Sequence, residues 1–285
     1  MARAVIPPIS RLCEGVIRIL GMNPGMMELQ GTNTYLLGSG KRRILLDAGD
    51  ENKPEYIQNL QKVLKEEDVD LEHIIITHWH HDHIGGVKEV LKHVNADVSV
   101  WKYPRTDGDE QEGIPLKFLK DGHEFKTENA TFKVCHTPGH TTDHIVLFSP
   151  TTGQMFSGDN VLGEGTAVFE DLYEYMRSLS LMVGMKPTVI FPGHGPVVED
   201  PVKKITYYID HRNAREAQVL KVLCDNPDKI FSALEIVKII YVDVNENLHY
   251  AASINVTHHL EKLVKEGKVI SSGDGWQYRK LESSL

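Results

Sequence analysis

Four side chains with metal-ligand chemistry lie in one short run of the chain. Residues 77–83 read Thr-His-Trp-His-His-Asp-His, so candidate ligands stand at His78, His80, Asp82 and His83. Neutral imidazole is the commonest metal ligand in proteins, and carboxylates complete such sites. A lone histidine usually has an ordinary role in a core or on a surface. Four candidate ligands within six residues predict a metal site instead.

Three later segments share one local pattern, in which an apolar run leads into a glycine turn that carries a histidine or an aspartate. Pro-Gly-His-Thr places His140, Ser-Gly-Asp places Asp159, and Pro-Gly-His-Gly places His194. Glycine turns tightly at positive φ, so each segment can present its polar side chain from the end of a strand. Any one of them could be a turn with a polar tip. Together with the first run, they predict a converging metal site.

Rigid elements must hold these ligands, and the apolar pattern predicts where they lie. Short apolar runs predict strands at residues 16–20, 44–46, 74–76, 98–101, 132–135, 145–148, 155–156 and 189–191. Helical spacing predicts helices at residues 54–65, 87–94 and 172–183. The alternation of strands and helices favours an α/β domain. The strand at 74–76 ends directly before the first run of ligands.

Composition limits the class of protein. The chain has 285 residues, 41% hydrophobic and 25% charged, as expected for a soluble enzyme with one large and one small domain. Three cysteines without C-x-x-C spacing argue for a reducing compartment, and no apolar run predicts a membrane span. The net charge of −9 disfavours a protein that grips long duplex nucleic acid. A nuclease remains compatible, because two bound metal ions add about four positive charges at the phosphate.

The pattern changes near residue 200, which predicts a second domain. We assign residues 1–200 to a catalytic domain, 201–225 to a connecting helix and 226–285 to a small C-terminal domain. The last segment predicts helices at 231–240 and 247–266 and strands at 268–270 and 276–278. Two helices followed by a hairpin indicate a winged-helix-like domain. The same pattern fits a cap packed on the catalytic domain, so the sequence leaves open whether this domain touches substrate.

The ordered set H-x-H-x-D-H, P-G-H-T, S-G-D and P-G-H-G resembles the metallo-β-lactamase superfamily over about residues 16–200. The resemblance implies an α/β fold, an αββα sandwich with the metals at one edge between two sheets. It implies one metal ion on His78, His80 and His140, a second on Asp82, His83 and His194, and Asp159 as the bridge between them. Nitrogen-rich ligation favours zinc, with two ions per chain.

The same resemblance implies roles for residues around the ligands. Asp47, in Leu-Leu-Asp-Ala-Gly, matches an acid that orients the histidine ligands from behind. His144 is a candidate for a similar supporting role or for contact with substrate. His80 fits the hydrolytic members, because iron-dependent redox members tend to carry glutamate at that position.

Motifs outside the ligand set narrow the resemblance to a group that is glyoxalase II-like in its catalytic domain and carries a winged-helix tail. These motifs are Gly-Thr-Asn-Thr-Tyr at 31–35, Gly-Glu-Gly-Thr at 163–166 and Phe-Glu-Asp-Leu-Tyr at 169–173. That group implies an endoribonuclease that cuts single-stranded RNA in the mitochondrial matrix, with the cytoplasm as the alternative location. The implied reaction is in-line attack on phosphorus by a hydroxide bridging two zinc ions, with Asp82 and Asp159 as the catalytic carboxylates. Weak phosphate contacts are expected from Lys262, Lys265, Lys268, Arg279 and Lys280.

Three other readings compete with the endoribonuclease. A thioester hydrolase of glyoxalase II type fits the metal site equally well, but the resemblance would then imply an all-helical C-terminal domain. A true β-lactamase is disfavoured by the missing secretory signal and by Gly158, where a cysteine ligand would be informative. A winged-helix regulator with an inactive hydrolase domain is disfavoured because all seven ligand positions are intact.

Overall fold

Two β-sheets form the centre of the protein. The computed structural model describes residues 5–105, 108–109, 113–273 and 275–280. Within these residues, the first sheet has seven strands side by side in chain order: β1 (Ile9–Cys13), β2 (Val16–Leu20), β3 (Asn33–Leu37), β4 (Arg42–Leu46), β5 (Asp70–Ile76), β6 (Ser99–Lys102) and β7 (Leu116–Phe118). The second sheet has five strands, and strands consecutive in the chain are again neighbours in the sheet: β8 (Glu124–Lys126), β9 (Thr131–His136), β10 (Ile145–Phe148), β11 (Gln154–Gly158) and β12 (Val189–Pro192).

Helices cover the outer faces of the sheets and continue into the C-terminal segment. They are α1 (Pro54–Glu67), α2 (His81–Ile84), α3 (Val87–His93), α4 (Leu172–Gly184), α5 (Pro201–Asp225), α6 (Ala233–Ile240) and α7 (His249–Lys265). The short turn Glu246–Leu248 leads into α7, and a hairpin of β13 (Val269–Ser272) and β14 (Gly275–Tyr278) follows it. No helix in the described part of the chain combines the length and apolar character that a membrane crossing needs.

The side chains of the central strands alternate between two cores, as the two-residue period of a strand requires. In β5, Ile74 and Ile76 pack under α1 and α3, and Ile75 points between the two sheets. In β10, Leu147 faces the first sheet, and Val146 packs with α4 and α5. The resulting order of helix, sheet, sheet and helix confirms the predicted αββα sandwich.

The C-terminal segment has its own core and confirms the predicted winged helix. Leu260 of α7 and Val237 of α6 pack against Val219 near the end of α5. The first half of α5 belongs to the sandwich, since Ile205 and Tyr208 pack with the second sheet. The long helix is therefore part of both cores and fixes the tail against the catalytic domain.

Several strands escaped the sequence-based prediction. The apolar runs at β5 and β10 were predicted because their strands are buried on both faces. Strands β7 and β8 have three residues each and are mostly exposed, so they carry no apolar run. The edge strand β1 is half-exposed as well and has the same weak signal.

Candidate metal centre

Strand ends bring the predicted ligands to one edge of the sandwich. Strands β4 and β5 are parallel neighbours, so Asp47 and His78 follow strands that end side by side. Strands β11 and β12 are parallel as well, and Asp159 and His194 follow their ends. The loop from β9 to β10 adds His140. Side chains that are far apart in sequence therefore converge because the sheets end together.

Three imidazoles form the first ligand cluster. The His78 Nε2 and His80 Nδ1 atoms are 3.0 Å apart, and His140 Nε2 lies 3.3 Å and 3.1 Å from them. Around a tetrahedral zinc ion with bonds of about 2.0–2.1 Å, neighbouring ligand atoms lie roughly 3.3–3.4 Å apart. The spacing of the three nitrogens therefore fits a single ion held between them.

The second cluster joins two histidines through a carboxylate. Asp82 Oδ2 lies 3.2 Å from the Nε2 atoms of both His83 and His194. Asp159 Oδ2 lies 3.3 Å from His194 Nε2 and 3.8 Å from His140 Nε2, so one oxygen faces both clusters. This is the position that a ligand bridging two ions requires.

The outer ring nitrogens of the ligands have fixed partners. His140 Nδ1 lies 2.8 Å from the Val168 carbonyl, which can only accept, so Nδ1 carries the proton and Nε2 is bare. His83 Nδ1 lies 2.8 Å from the Asp47 carboxylate and is fixed in the same way. Such outer partners set the tautomer and the direction of metal-binding histidines. Both rings therefore direct Nε2 toward the centre, where it would offer a lone pair to a metal ion once it carries no proton.

Asp47 is held in place by the strand end next to it. Its carboxylate accepts hydrogen bonds of 2.8 Å from the Thr77 N–H and 3.0 Å from the Thr77 hydroxyl. The residue has a φ of 59°, a left-handed conformation that aspartate tolerates better than most residues. The carboxylate is buried behind His83 and has no access to the cleft.

His144 lies behind the ligands rather than in the cleft. The ring is fully buried, and its Nε2 accepts a hydrogen bond of 3.1 Å from the Asp159 N–H. Gly158 makes this approach possible, because a Cβ at that position would lie 2.7 Å from His144 Nε2. The structure therefore favours support of Asp159 over contact with substrate.

The two clusters have opposite electrostatics. Burial, followed by repulsion from neighbouring imidazoles, lowers the pKa of His80 to about 4 and that of His78 well below its usual range. Burial also disfavours the charged form of His194, but Asp159 and Asp82 outweigh it and raise its pKa to about 10. His78 and His80 therefore offer neutral lone pairs at neutral pH, and His194 holds a proton where a cation would bind.

The same balance applies to the carboxylates and to His83. Burial raises the pKa of Asp82 and Asp159, but the facing histidines outweigh it and hold both pKa values below the usual range. Burial lowers the pKa of His83, but Asp82, Asp47 and Asp159 together raise it well above normal. The negative charges of the carboxylates thus stay in the site at neutral pH.

Two buried atoms at the centre lack hydrogen bonds. Within the described residues, His83 Nε2 and Asp159 Oδ1 are shielded from water and have no hydrogen-bond partner. An unsatisfied buried polar atom costs about 1–3 kcal/mol. A bound cation would satisfy both atoms, so the donor set and its burial fit a metal ion.

The centre opens into a cleft of about 360 Å³. Its floor holds ligand atoms, and its walls are largely apolar. The side chains on the walls include Met27, Trp79, Leu162, Ala167 and Val168. The Arg105 guanidinium lies 4.6 Å from the centre of the Trp79 ring and holds it from one side. A substrate that reaches the centre therefore passes an aromatic surface next to His80.

The predicted cationic contacts of the tail are mostly engaged in ion pairs. Lys262 gives the predicted phosphate contact no support, because its side chain is 8% exposed and its Nζ lies 2.7 Å from Glu216, and the contact stays a prediction. Lys265 pairs with Asp171, Lys268 with Glu266 and Lys280 with Asp228, while Arg279 is exposed. In the sequence, Lys262 lies among alternating charges of α7, and this pattern does not indicate that its side chain faces α5.

Two contacts of the ligands were missed by sequence reasoning. The Thr32 hydroxyl donates to Asp82 Oδ2 at 2.8 Å, and the Val168 carbonyl accepts from His140. Thr32 lies in a motif that the resemblance had already marked at residues 31–35, so a signal existed for it. A backbone carbonyl carries no side-chain signal, so only the structure could reveal it.

Comparison with known proteins decides the family. Residues 27–194 match the family described as the metallo-beta-lactamase superfamily. The chain belongs to this superfamily. Residues 232–276 match a second family, the beta-lactamase associated winged helix domain, which identifies the tail. Both assignments agree with the resemblance seen in the motifs.

Individual superfamily members show how far the similarity extends. The chain is 53% identical to a Beta-lactamase-like protein 2 homolog from Drosophila melanogaster, over 93% of each chain. It is 40% identical to a protein named Thioesterase pkgB from Emericella nidulans, over 78% of this chain and 64% of the relative. A crystal structure of a beta-lactamase domain protein from Burkholderia ambifaria covers 95% of this chain and 93% of its own, with a TM-score of 0.78 and 19% identity. At that identity, the solved structure shows the fold alone.

Proposed function

We propose that this protein is a zinc-dependent endoribonuclease that hydrolyses phosphodiester bonds of single-stranded RNA. The observation that carries the hydrolytic chemistry is Asp159 Oδ2, which faces His140 of one cluster and His194 of the other. Superfamily members are typically hydrolases, and the paired ligand clusters agree with that chemistry. Two zinc ions bound here would supply Lewis-acid charge on a substrate oxygen and an activated water at neutral pH.

The residues of the chain have separable tasks in this proposal. His78, His80 and His140 hold one ion, and Asp82, His83 and His194 hold the other. Asp82 stays ionised, because His83 and His194 keep its pKa low, and the Thr32 hydroxyl fixes its orientation. An ionised carboxylate beside the reacting water can accept a hydrogen bond from it and aim it at phosphorus.

The walls of the cleft support an RNA substrate. Trp79 lines the cleft and its side chain is 38% exposed. Stacking of an unpaired base on an aromatic ring contributes about 1–3 kcal/mol and tolerates different sequences. Trp79 lies between two ligands in the sequence, so a base on its ring would place the adjoining phosphate near the ions.

A thioester hydrolase is the second candidate, and one comparison favours it. A relative named as a thioesterase is 40% identical over 78% of this chain. The apolar wall of Met27, Leu162 and Val168 would also accept an acyl chain. The metal centre serves either substrate, so the choice must come from assays.

The deciding experiment supplies zinc-loaded protein with labelled single-stranded RNA, with DNA of the same sequence and with a glutathione thioester. We expect cleavage of the RNA that a chelator stops, with much slower turnover of the thioester. His80→Ala should abolish cleavage. His81→Ala should not, because this neighbouring side chain is 62% exposed and contacts Asp50 and Glu51 outside the centre.

Two results would contradict the proposal. Protein with two bound zinc ions that leaves RNA intact but hydrolyses the thioester would favour the second candidate. Equal RNA cleavage by wild type and His80→Ala would instead point to a contaminating nuclease.

A further inference from the structure

The loop between β11 and α4 forms one wall of the metal cleft. We call residues 163–171 the cleft loop. Its Thr166, Ala167 and Val168 line the cleft, and its Val168 carbonyl fixes His140 through the 2.8 Å contact with Nδ1. The position of one metal ligand therefore depends on the position of this loop.

A second link joins the end of the cleft loop to the turn that carries His140. The N–H groups of Glu170 and Asp171 donate to the Gly139 carbonyl at 2.8 Å and 3.0 Å. The Asp171 side chain then begins α4 by accepting from the Tyr173 N–H at 2.9 Å. Any shift of residues 168–171 would thus be transmitted to both sides of the ligand.

The winged tail grips this same loop. The Phe169 ring lies 5.3 Å from the His258 ring of α7, in an edge-to-face arrangement. Lys265 lies about two helical turns after His258 in α7 and makes an ion pair with Asp171. Two side chains of the tail therefore hold two consecutive parts of the loop.

Helix α5 also contacts the cleft loop, through Arg212. Arg212 donates to the Ala167 carbonyl at 3.0 Å, and its guanidinium carbon lies 4.8 Å from the centre of the Phe169 ring. Arg212 is buried, so this contact is shielded from water. The cleft loop is enclosed by contacts with α4, α5 and α7.

We propose that the winged tail positions the metal ligand His140 through the cleft loop, with Lys265 and His258 as positioning residues. Neither side chain lines the cleft or belongs to a ligand cluster. Each acts through Phe169 or Asp171 on the Val168 carbonyl, and hence on the direction of the His140 lone pair. The inference rests on the metal-binding part of the proposed function and is the same for an RNA or a thioester substrate.

The test measures zinc affinity by chelator competition, together with the visible absorption spectrum of the cobalt-substituted protein. Lys265→Met should weaken zinc binding and change the cobalt spectrum. The double variant, Lys265→Met with His258→Ala, should do the same. Loss of an outer partner of a ligand costs about 10–100-fold in affinity. We expect about 3–10-fold for Lys265→Met, because an exposed ion pair contributes modestly and Arg212 still holds the loop. The double variant should lose more.

Matched variants separate positioning from a general effect of charge. Lys268→Met removes the same charge from a side chain that is 49% exposed, against 46% for Lys265, and Lys268 pairs with Glu266 inside the tail. It should leave affinity and spectrum unchanged, and Lys265→Arg should restore both to the wild-type values. Wild-type affinity and an unchanged spectrum in the folded double variant would overturn the proposal.

Hydrogen exchange of the metal-free protein tests the grip without any metal. The amides of residues 166–171 should exchange faster in Lys265→Met than in Lys268→Met. Unchanged exchange in Lys265→Met would overturn the claim that the tail holds the cleft loop through Lys265. A wild type that binds no zinc would contradict the proposed function instead, so the two failures are distinguishable.

Discussion

At the scale of single residues, buried partners decide what the ligands can do. Asp47 is buried and does not line the cleft, yet it fixes the ring of His83 through a 2.8 Å contact. Its negative charge also favours a positive charge in the second cluster. Among the carboxylates that raise the pKa of His83, Asp82 has the largest effect and Asp47 the next largest. A residue that never touches the reaction can therefore set the affinity for the ion.

Asp47→Asn tests this directly. The change keeps the size of the side chain but removes the charge behind His83, so zinc affinity should fall by about 10–100-fold. Chelator competition measures the loss. Asp50→Asn is the control, because Asp50 faces the exposed His81 at 3.2 Å and should leave affinity unchanged. Equal affinity of the Asp47 and Asp50 variants would show that Asp47 supports only the fold.

At the scale of elements, the close approach of the His140 turn to α4 requires glycine. Gly139 has a φ of 129°, and a Cβ there would lie 2.3 Å from the backbone nitrogen of Tyr175. Gly139→Ala should therefore push the turn away from α4, destabilise the protein by about 1–3 kcal/mol and weaken zinc binding. Thermal melts and zinc titration check both effects.

The matched control lies in α4 itself. Gly184 has open space around its Cβ position, and Gly184→Ala should be neutral or stabilise by up to about 1 kcal/mol, as in other helices. If Gly139→Ala melts like the wild type and binds zinc normally, the turn must be free to move away from the helix.

The contact between α5 and α7 should depend on pH. Burial raises the pKa of Glu216, but His259 and Lys262 outweigh it, so the folded pKa is below the unfolded value of about 4.3. The stabilisation is therefore present above pH 4.3 or so and is lost as the pH falls through the folded pKa. Lys262 stays charged throughout that range.

Glu216→Gln should therefore cost about 1.5–3 kcal/mol at pH 7 and progressively less below pH 4. Melts of metal-free protein between pH 7 and 3.5 measure the difference, with Glu261→Gln as the control because Glu261 is 57% exposed. A difference that stays constant down to pH 3.5 would rule out the ionised form of Glu216 as its source.

The same elements explain how much the sequence could predict. Strand β5 and the ligands after it are local in sequence, so an apolar run and a histidine pattern predicted both. The pairing of Lys262 with Glu216 joins residues 46 positions apart across two helices, and no local pattern contains it. The resemblance supplied the fold, the joint ligand set and the role of Asp47, and the contacts of Thr32 and Val168 with the ligands required the structure.

At the scale of the whole molecule, the metal centre joins both sheets at one edge, in addition to the apolar core that they share. Its ligands come from both sheets and from loops after β5, β9, β11 and β12. A ligand that binds only the folded state stabilises it by about 4 kcal/mol at a thousand times its dissociation constant. Removing zinc with a chelator should therefore lower the melting temperature clearly, and adding zinc should restore it.

Protons should leave the protein when the metal returns. The pKa values of His83 and His194 are raised in the metal-free protein, so both rings are charged at pH 7 and must lose a proton to become ligands. Zinc binding should release about two protons at pH 7, and fewer as the pH rises through these raised pKa values. Calorimetric titration in buffers with different ionisation heats gives the number. Binding of two zinc ions with no proton release would mean that His83 and His194 are already neutral, and the electrostatic account of the second cluster would then fail.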